Sequence, residues 1–151
     1  MQPLEFYDEN TPCPPARPLP TTPGMSVAAI AAAIDEQPYL PARLPNPFAS
    51  VCGRVCAAPC EDACRRGQID RPIAIRALKR FVTEQFGPET GKGVHPAVAA
   101  PAHTTKDQSI GIVGGGPAGM AGAHDLRRLG YAVTVYEATD RLGGAMWLGI
   151  P

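Results

Sequence analysis

Three absences in the sequence exclude broad classes of protein. The 151 residues hold 14 Lys and Arg against 14 Asp and Glu, so nothing favours a nucleic-acid partner. The longest apolar run, residues 27–34, is too short to span a bilayer. The first residues lack the basic start and apolar core of a signal peptide. We therefore expect a cytoplasmic protein with no transmembrane segment.

Candidate catalytic side chains are also scarce. The chain has 3 His, of which His124 falls on a predicted helix surface and His95 in a predicted linker. No acid, base or nucleophile stands in a pattern that indicates catalysis. We therefore predict no catalytic residue and expect no catalysis by the chain alone.

Proline and glycine are plentiful, but they concentrate at opposite ends of the chain. Most of the 18 Pro fall in residues 1–47, whereas most of the 16 Gly fall in residues 111–151. Residues 1–25 are therefore predicted to form an extended Pro-rich arm. Ser26 can cap a short Ala-rich helix over residues 27–36.

The glycines near the end follow the pattern G-x-G-x-x-G at Gly114, Gly116 and Gly119. The pattern follows an apolar strand, 109–113, and opens a helix that stops near Gly130. Such glycines permit a tight turn, close approach of a pyrophosphate, and packing of the helix against the strand. The N-terminal end of that helix then faces the phosphates. The pattern predicts a dinucleotide-binding βαβ unit.

The continuation of this unit favours FAD over NAD. Glu137 ends the second predicted strand, 131–137, where a carboxylate can meet a ribose hydroxyl. Arg141, Gly143 and Gly144 follow in a spacing that resembles the E-x-x-x-R-x-G-G run of flavoproteins with two dinucleotide-binding domains. The predicted FAD-binding residues are Gly114, Gly116, Pro117, Ala118, Gly119, Glu137, Arg141, Gly143 and Gly144.

Four of the five cysteines stand at regular spacing, at Cys52, Cys56, Cys60 and Cys64. A straight helix through them would be about 18 Å long, too long for four sulfurs to meet one small metal centre. Pro59 breaks such a helix and can start a new one. The segment must therefore fold back on itself or divide its cysteines between two centres.

Three types of site compete for these cysteines. Zinc sites favour C-x2-C pairs, which are absent here. Disulfides do not suit a reducing compartment, and purely structural cysteines need no such regularity. An iron–sulfur centre fits the spacing, the neighbouring flavin motif and the surroundings, since residues 51–80 hold half of the chain's 14 basic residues. A solvated basic surface is the alternative explanation of any single arginine.

The segment from Asn46 to Phe86, with NPF, VCGRVC, PCE and AIRALKRF in this order, resembles the N-terminal helical domain of the glutamate synthase small-subunit family. Related segments occur in dihydropyrimidine dehydrogenase. Residues 109–151 resemble the FAD segment of the same family. The resemblance implies two [4Fe-4S] clusters, then FAD, then an NAD(P)H domain.

The sequence departs from this family in two places. The family has a first Cys-rich motif, of which only Cys13 remains, followed by Pro14. Two all-cysteine clusters need eight thiolates and five are present, so we expect one cluster, or a second with borrowed ligands. The predicted metal ligands are Cys52, Cys56, Cys60, Cys64 and Cys13. The NAD(P)H domain that the family carries does not follow within the 151 residues.

The predicted fold is a small all-α iron–sulfur domain, resembling α-helical ferredoxins, followed by the first βαβ part of a Rossmann-like FAD-binding domain. The expected division is an arm at 1–25, the helical iron–sulfur domain at 26–86, a linker at 87–108, and the βαβ part at 109–151. A helix over residues 73–86, ended by Gly87-Pro88, closes the helical domain.

The function implied by the resemblance is electron transfer. NAD(P)H would reduce FAD by hydride, and a [4Fe-4S] cluster would pass single electrons to or from a protein partner subunit. The alternative is a truncated, non-catalytic docking or assembly subunit of a larger redox complex, with its flavin site empty or completed by another chain.

Overall fold

The computed structural model describes residues 39–99 and 105–150, together with the isolated residues 16, 27 and 30. The contacts between Cα atoms divide the chain after Val98 into two units. Apart from residue 16, the predicted arm lies outside the described residues, and Cys13 with it. Of the predicted helix over residues 27–36, Val27 and Ile30 are described, and both are helical.

The first unit is helical throughout its described part. Its elements are α1 (Tyr39–Arg43), α2 (Ala49–Val55), α3 (Pro59–Asp62), α4 (Ile75–Phe86) and α5 (Pro96–Ala99), with 3-10 turns at Arg65–Gln68 and Pro88–Thr90. Helix α4 begins two residues after the predicted start at residue 73, and residues 71–74 before it have no regular secondary structure. It ends at Phe86 as predicted, before Gly87 and Pro88.

The core of this unit lies where α1, α4 and α5 meet. Tyr39, Val82 and Val98 are buried together, and they are flanked by Ile30, Leu40, Leu44 and Phe86. Helix α2 packs closely on α4, because a Cβ at Gly53 would stand 3.0 Å from the Cα of Arg80. Glycine at position 53 therefore lets the cysteine-bearing helix approach α4.

The predicted linker at 87–108 begins too early. Residues 88–99 contain a 3-10 turn and α5, and Val98 belongs to the hydrophobic core. The Pro- and Gly-rich composition of this stretch suggested a linker, but one buried apolar side chain is enough to anchor a short helix. The packed part of the helical unit therefore extends to Val98.

The second unit is a βαβ arrangement. Strand β1 (Ser109–Val113), helix α6 (Pro117–Arg128) and strand β2 (Ala132–Tyr136) precede the short helix α7 (Met146–Gly149). The strands are parallel and in register, from Ser109 opposite Ala132 to Val113 opposite Tyr136. The prediction of a helical region followed by a Rossmann-like βαβ unit is confirmed at this level. In the described parts of both units, no helix combines the length and apolar character needed to cross a bilayer.

Candidate functional site

The glycine-rich loop connects β1 directly to α6. Gly114 follows the strand and has a φ of 99°, a conformation that side chains resist. Its N–H donates to the carbonyl of Tyr136 at 2.8 Å, so the loop starts from the end of the paired strands. Gly116 then forms the N-cap of α6 without any side-chain hydrogen bond to the helix end. Pro117 and Ala118 form the first turn of α6.

Two positions of the motif, Gly119 and Gly116, need glycine for different structural reasons. A Cβ at Gly119 would stand 1.9 Å from the carbonyl oxygen of Gly114, so any side chain there would push the helix from the loop. A Cβ at Gly116 would meet nothing within 4 Å. Gly119 is therefore required by the protein's own packing, whereas Gly116 opens onto free space where a ligand can approach.

The side chain of Glu137 binds the glycine-rich loop at Gly115, which lies 22 positions earlier in the sequence. One carboxylate oxygen accepts the N–H of Gly115 at 2.7 Å. The other accepts the backbone N–H and the hydroxyl of Thr139, each at 3.0 Å. The N–H groups of Thr139 and Gly115 together lower the pKa of the Glu137 carboxyl, because they stabilise its charged form. Glu137 therefore braces the loop as a carboxylate, a role that its predicted contact with a ribose did not include.

The Gly143-Gly144 pair lies against the same loop. The N–H of Gly143 donates to the carbonyl of Gly115 at 2.8 Å. Both glycines have positive φ, 116° and 52°, and a Cβ at Gly144 would stand 3.1 Å from the Cα of Gly116. The pair thus forms a second wall beside Gly116, built from backbone alone.

A cavity of about 410 Å³ adjoins this wall. It is lined by Glu137, Thr139, Asp140, Arg141, Gly144, Trp147 and Leu148. The Arg141 guanidinium lies 5.2 Å from the ring centre of Trp147, whose indole N–H donates to the carbonyl of Leu142. Thr139 and Trp147 were not predicted from the sequence. The position of Trp147 just after the glycine pair is the signal that could have found it.

The cysteine segment is not one straight helix, because it breaks between Cys56 and Pro59. Helix α2 carries Cys52 and ends before Cys56, which is extended. Ala58 has a left-handed φ of 58°, and Pro59 starts α3, where Cys60 is buried. Cys64 follows in extended conformation, before the 3-10 turn. The break at Pro59 therefore puts Cys52 and Cys60 in two separate short helices, while Cys56 and Cys64 lie beyond the ends of those helices.

All four described cysteines are free thiols. The Sγ of Cys56 accepts the backbone N–H of Ala58 at 3.3 Å. Among residues 39–99 and 105–150, no three His, Cys, Asp or Glu side chains converge as metal ligands would. The structure thus places the predicted ligands Cys52, Cys56, Cys60 and Cys64 on one broken helical segment without gathering their sulfurs.

Several cations near the cysteines are paired with carboxylates. Arg54 binds Glu84 at 3.1 Å and Glu89 at 2.9 Å, and Arg80 binds Glu84 at 2.7 Å. Arg66 binds Asp70 through two hydrogen bonds, which lower the pKa of Asp70 to about 2. The expectation that these arginines serve an anionic centre is therefore too broad, because their carboxylate partners already balance their charge.

The family of the chain follows from comparison with known proteins. Residues 9–90, more than half of the 151, match the family model described as dihydropyrimidine dehydrogenase domain II, 4Fe-4S cluster. The chain belongs to this iron–sulfur family. Residues 112–147 match the model of an NAD(P)-binding Rossmann-like domain, and thus include the glycine loop, Glu137 and the Gly143-Gly144 pair. The resemblance inferred from the sequence motifs is confirmed.

Curated relatives are redox enzymes or their subunits. The NAD-dependent dihydropyrimidine dehydrogenase subunit PreT of Salmonella typhimurium is 35% identical over 94% of this chain and 33% of its own length. The beta subunit of the NADP(+)-dependent formate dehydrogenase of Moorella thermoacetica is 37% identical over 69% of this chain and 17% of its own length. The NADPH glutamate synthase small chain of Mycobacterium tuberculosis is 39% identical over 70% of this chain and 21% of its own length.

These matches together give the chain a part that belongs to an iron–sulfur domain family and a part similar to dinucleotide-binding Rossmann-like domains. The chain spans a third or less of the length of these curated relatives.

Proposed function

We propose that this chain is the electron-transfer module of an NAD(P)H-dependent oxidoreductase that contains FAD and a [4Fe-4S] cluster. The observation that carries the proposal is the presence, in one chain, of a four-thiol helical unit and a βαβ unit whose glycine loop is open at Gly116. When bound, the flavin would take an electron pair from NAD(P)H, and the cluster would exchange single electrons. The residues of this chain bind and orient both groups.

The glycine loop suits the pyrophosphate of FAD. Free space over Gly116, the backbone wall at Gly144 and the uncapped start of α6 leave room for two phosphates beside N–H groups. Arg141 lines the adjoining cavity and can bind a phosphate or ribose oxygen there. The match to an NAD(P)-binding model concerns the shared Rossmann framework, whereas the Arg141-x-Gly143-Gly144 continuation favours FAD.

The chemistry of the cysteine segment suits an iron–sulfur centre. One segment of 13 residues supplies four thiols, from Cys52, Cys56, Cys60 and Cys64, and the Cys56 sulfur already accepts an N–H donor. We propose these four as ligands, with Cys13 as a further candidate, and one [4Fe-4S] cluster in an α-helical ferredoxin-like unit. Such ligands need a reducing compartment, for which we propose the cytoplasm.

The proposed partner is a protein subunit that receives or supplies the electrons. This inference follows the relatives, two of which are named as subunits and one as a small chain. The partner's own substrate decides the overall reaction, so the module can serve different oxidoreductases.

The test is a crossed pair of variants analysed for both cofactors. The chain is purified without oxygen and reconstituted with iron, sulfide and FAD. We expect about four irons and four sulfides per cluster, with bound flavin. Cys60→Ser should remove most of the iron and leave the flavin, whereas Gly116→Val should remove the flavin and leave the iron.

Gly116 is a suitable position because the new valine side chain would point into open space and leave the folded loop intact. Stoichiometric zinc in a colourless protein would refute the iron–sulfur part. Unchanged flavin content in Gly116→Val would refute the flavin part, because the glycine would then serve only the strand-to-helix connection.

A further inference from the structure

Arg76 joins the start of α4 to the turn that separates the cysteine-bearing helices. Its backbone N–H donates to a carboxylate oxygen of Glu61, in α3, at 2.7 Å. Its guanidinium donates to the backbone carbonyl of Cys56, at the end of α2, at 2.7 Å. One residue thus contacts both sides of the turn between Cys56 and Cys60.

This turn has a conformation that its own residues do not favour. Ala58 is the one non-glycine residue with positive φ among the described residues, at 58°, and it is buried. Its N–H points to the Sγ of Cys56. Contacts from outside the turn must therefore hold this backbone, and those of Arg76 reach the two segments that flank it.

The charge of Arg76 is also directed at this turn. Within the described part of the chain, Arg54, Arg66 and Arg80 form ion pairs with carboxylates, and Arg76 forms none. Its guanidinium instead binds the carbonyl of a cysteine residue. With a cluster bound, a cation held there would favour the more negative reduced state.

We propose that Arg76 is a positioning residue of the iron–sulfur site, which holds the Cys56–Cys60 turn ready for the cluster and raises the potential of that cluster. This inference rests on the proposed function. Arg76 acts through the backbone of Cys56 and is not itself a ligand.

The experiment compares Arg76→Gln with Arg76→Lys and with Arg80→Gln, in the anaerobically reconstituted chain. Arg80 lies one turn further along α4 and pairs with Glu84, so its variant measures the general effect of removing a cation from this helix. The readouts are the rate of iron release to a chelator, the midpoint potential from EPR-monitored titration, and hydrogen exchange of the Ala58 amide in the metal-free chain.

We expect Arg76→Gln to release iron about tenfold faster or more, as removal of outer contacts does at other metal sites. Its cluster potential should fall and its Ala58 amide should exchange faster. Arg76→Lys should restore most of the potential because it keeps the charge, and Arg80→Gln should match the unmodified chain in all three readouts.

Two results separate this inference from the proposed function. If the unmodified chain holds a cluster and Arg76→Gln has the same release rate and potential, Arg76 has no role at the site while the proposed function stands. If the unmodified chain takes up no iron, the proposed function fails and the role of Arg76 fails with it. Equal changes in Arg76→Gln and Arg80→Gln would also overturn the inference, because both changes would then result from removing any cation from helix α4.

Discussion

Gly119→Ala should destabilise the βαβ unit, because the protein's own backbone occupies the space of the new methyl group. An ideal Cβ at Gly119 would stand 1.9 Å from the Gly114 oxygen and 3.1 Å from its carbonyl carbon. Relief requires helix α6 and the loop to separate by more than an ångström. Overpacking against a rigid neighbour costs about 3 kcal/mol, at the upper end of the usual range.

Part of this loss is offset by helix propensity. Gly119 lies within α6, and alanine in a helix is favoured over glycine by about 1 kcal/mol. The expected net loss is therefore about 2 kcal/mol. For a unit of this size that loss lowers the unfolding temperature by about 8–16 °C.

Gly122→Ala is the matched control, one turn along the same helix. A Cβ there would meet only the Cδ1 of Ile112, at 3.9 Å, which is ordinary contact. We expect this variant to be stabilised by about 1 kcal/mol, since only the propensity gain applies. Thermal unfolding is followed by circular dichroism and by the NMR amide signals of β1. A Gly119→Ala chain as stable as Gly122→Ala would refute the close packing of helix and loop.

The remaining predictions concern the carboxyl groups of Glu137 and Asp70. Glu137→Gln should speed hydrogen exchange at the amide of Gly115, because the charged acceptor of that N–H is lost; an unchanged exchange rate would contradict the brace. The lowered pKa of Glu137 means that its stabilisation is complete above its ordinary value of 4.5 and is lost as the pH falls through the folded-state pKa. Acid titration of the Gly115 amide signal should therefore show a transition below pH 4.5 that Glu137→Gln abolishes. Asp70 has a pKa of about 2, below its ordinary value of 3.8, so it should keep its pairing with Arg66 as the pH falls through 3.8. A titration of the Asp70 carboxyl signal would show this.

Local patterns explain why the βαβ unit was predictable from the sequence. An apolar run, a glycine pattern and a second alternating run each determine the adjacent backbone, so β1, α6 and β2 follow. The strand predicted over 131–137 is one residue longer at each end than the observed Ala132–Tyr136. Boundary residues depend on hydrogen bonds between strands, which a single segment does not encode.

For the cysteine segment, the length of a helix predicted some features of the structure but not others. The length of a straight helix required either a fold-back or two separate centres, and the structure breaks the helix at Ala58 and Pro59. The sequence could not indicate that Arg54 is already paired, because its partners Glu84 and Glu89 lie on other elements. Likewise, the composition of residues 88–99 concealed the burial of Val98, which depends on the distant side chains of Tyr39 and Val82.

The two candidate sites share a feature that lies outside the glycines of the loop and the cysteines of the segment. In each, the turn that presents the binding groups is held by a charged side chain from a later element, about 20 residues on. Glu137 holds the N–H of Gly115 across 22 positions, and Arg76 holds the carbonyl of Cys56 across 20. A glycine loop or a cysteine turn has few side chains of its own to stabilise it, so its conformation must be supported from outside. The motif therefore determines which ligand can bind, while the later charged residue determines whether the empty site keeps its shape. Substitutions at Glu137 and Arg76 should accordingly weaken cofactor binding while every glycine of the loop and every cysteine of the segment is intact.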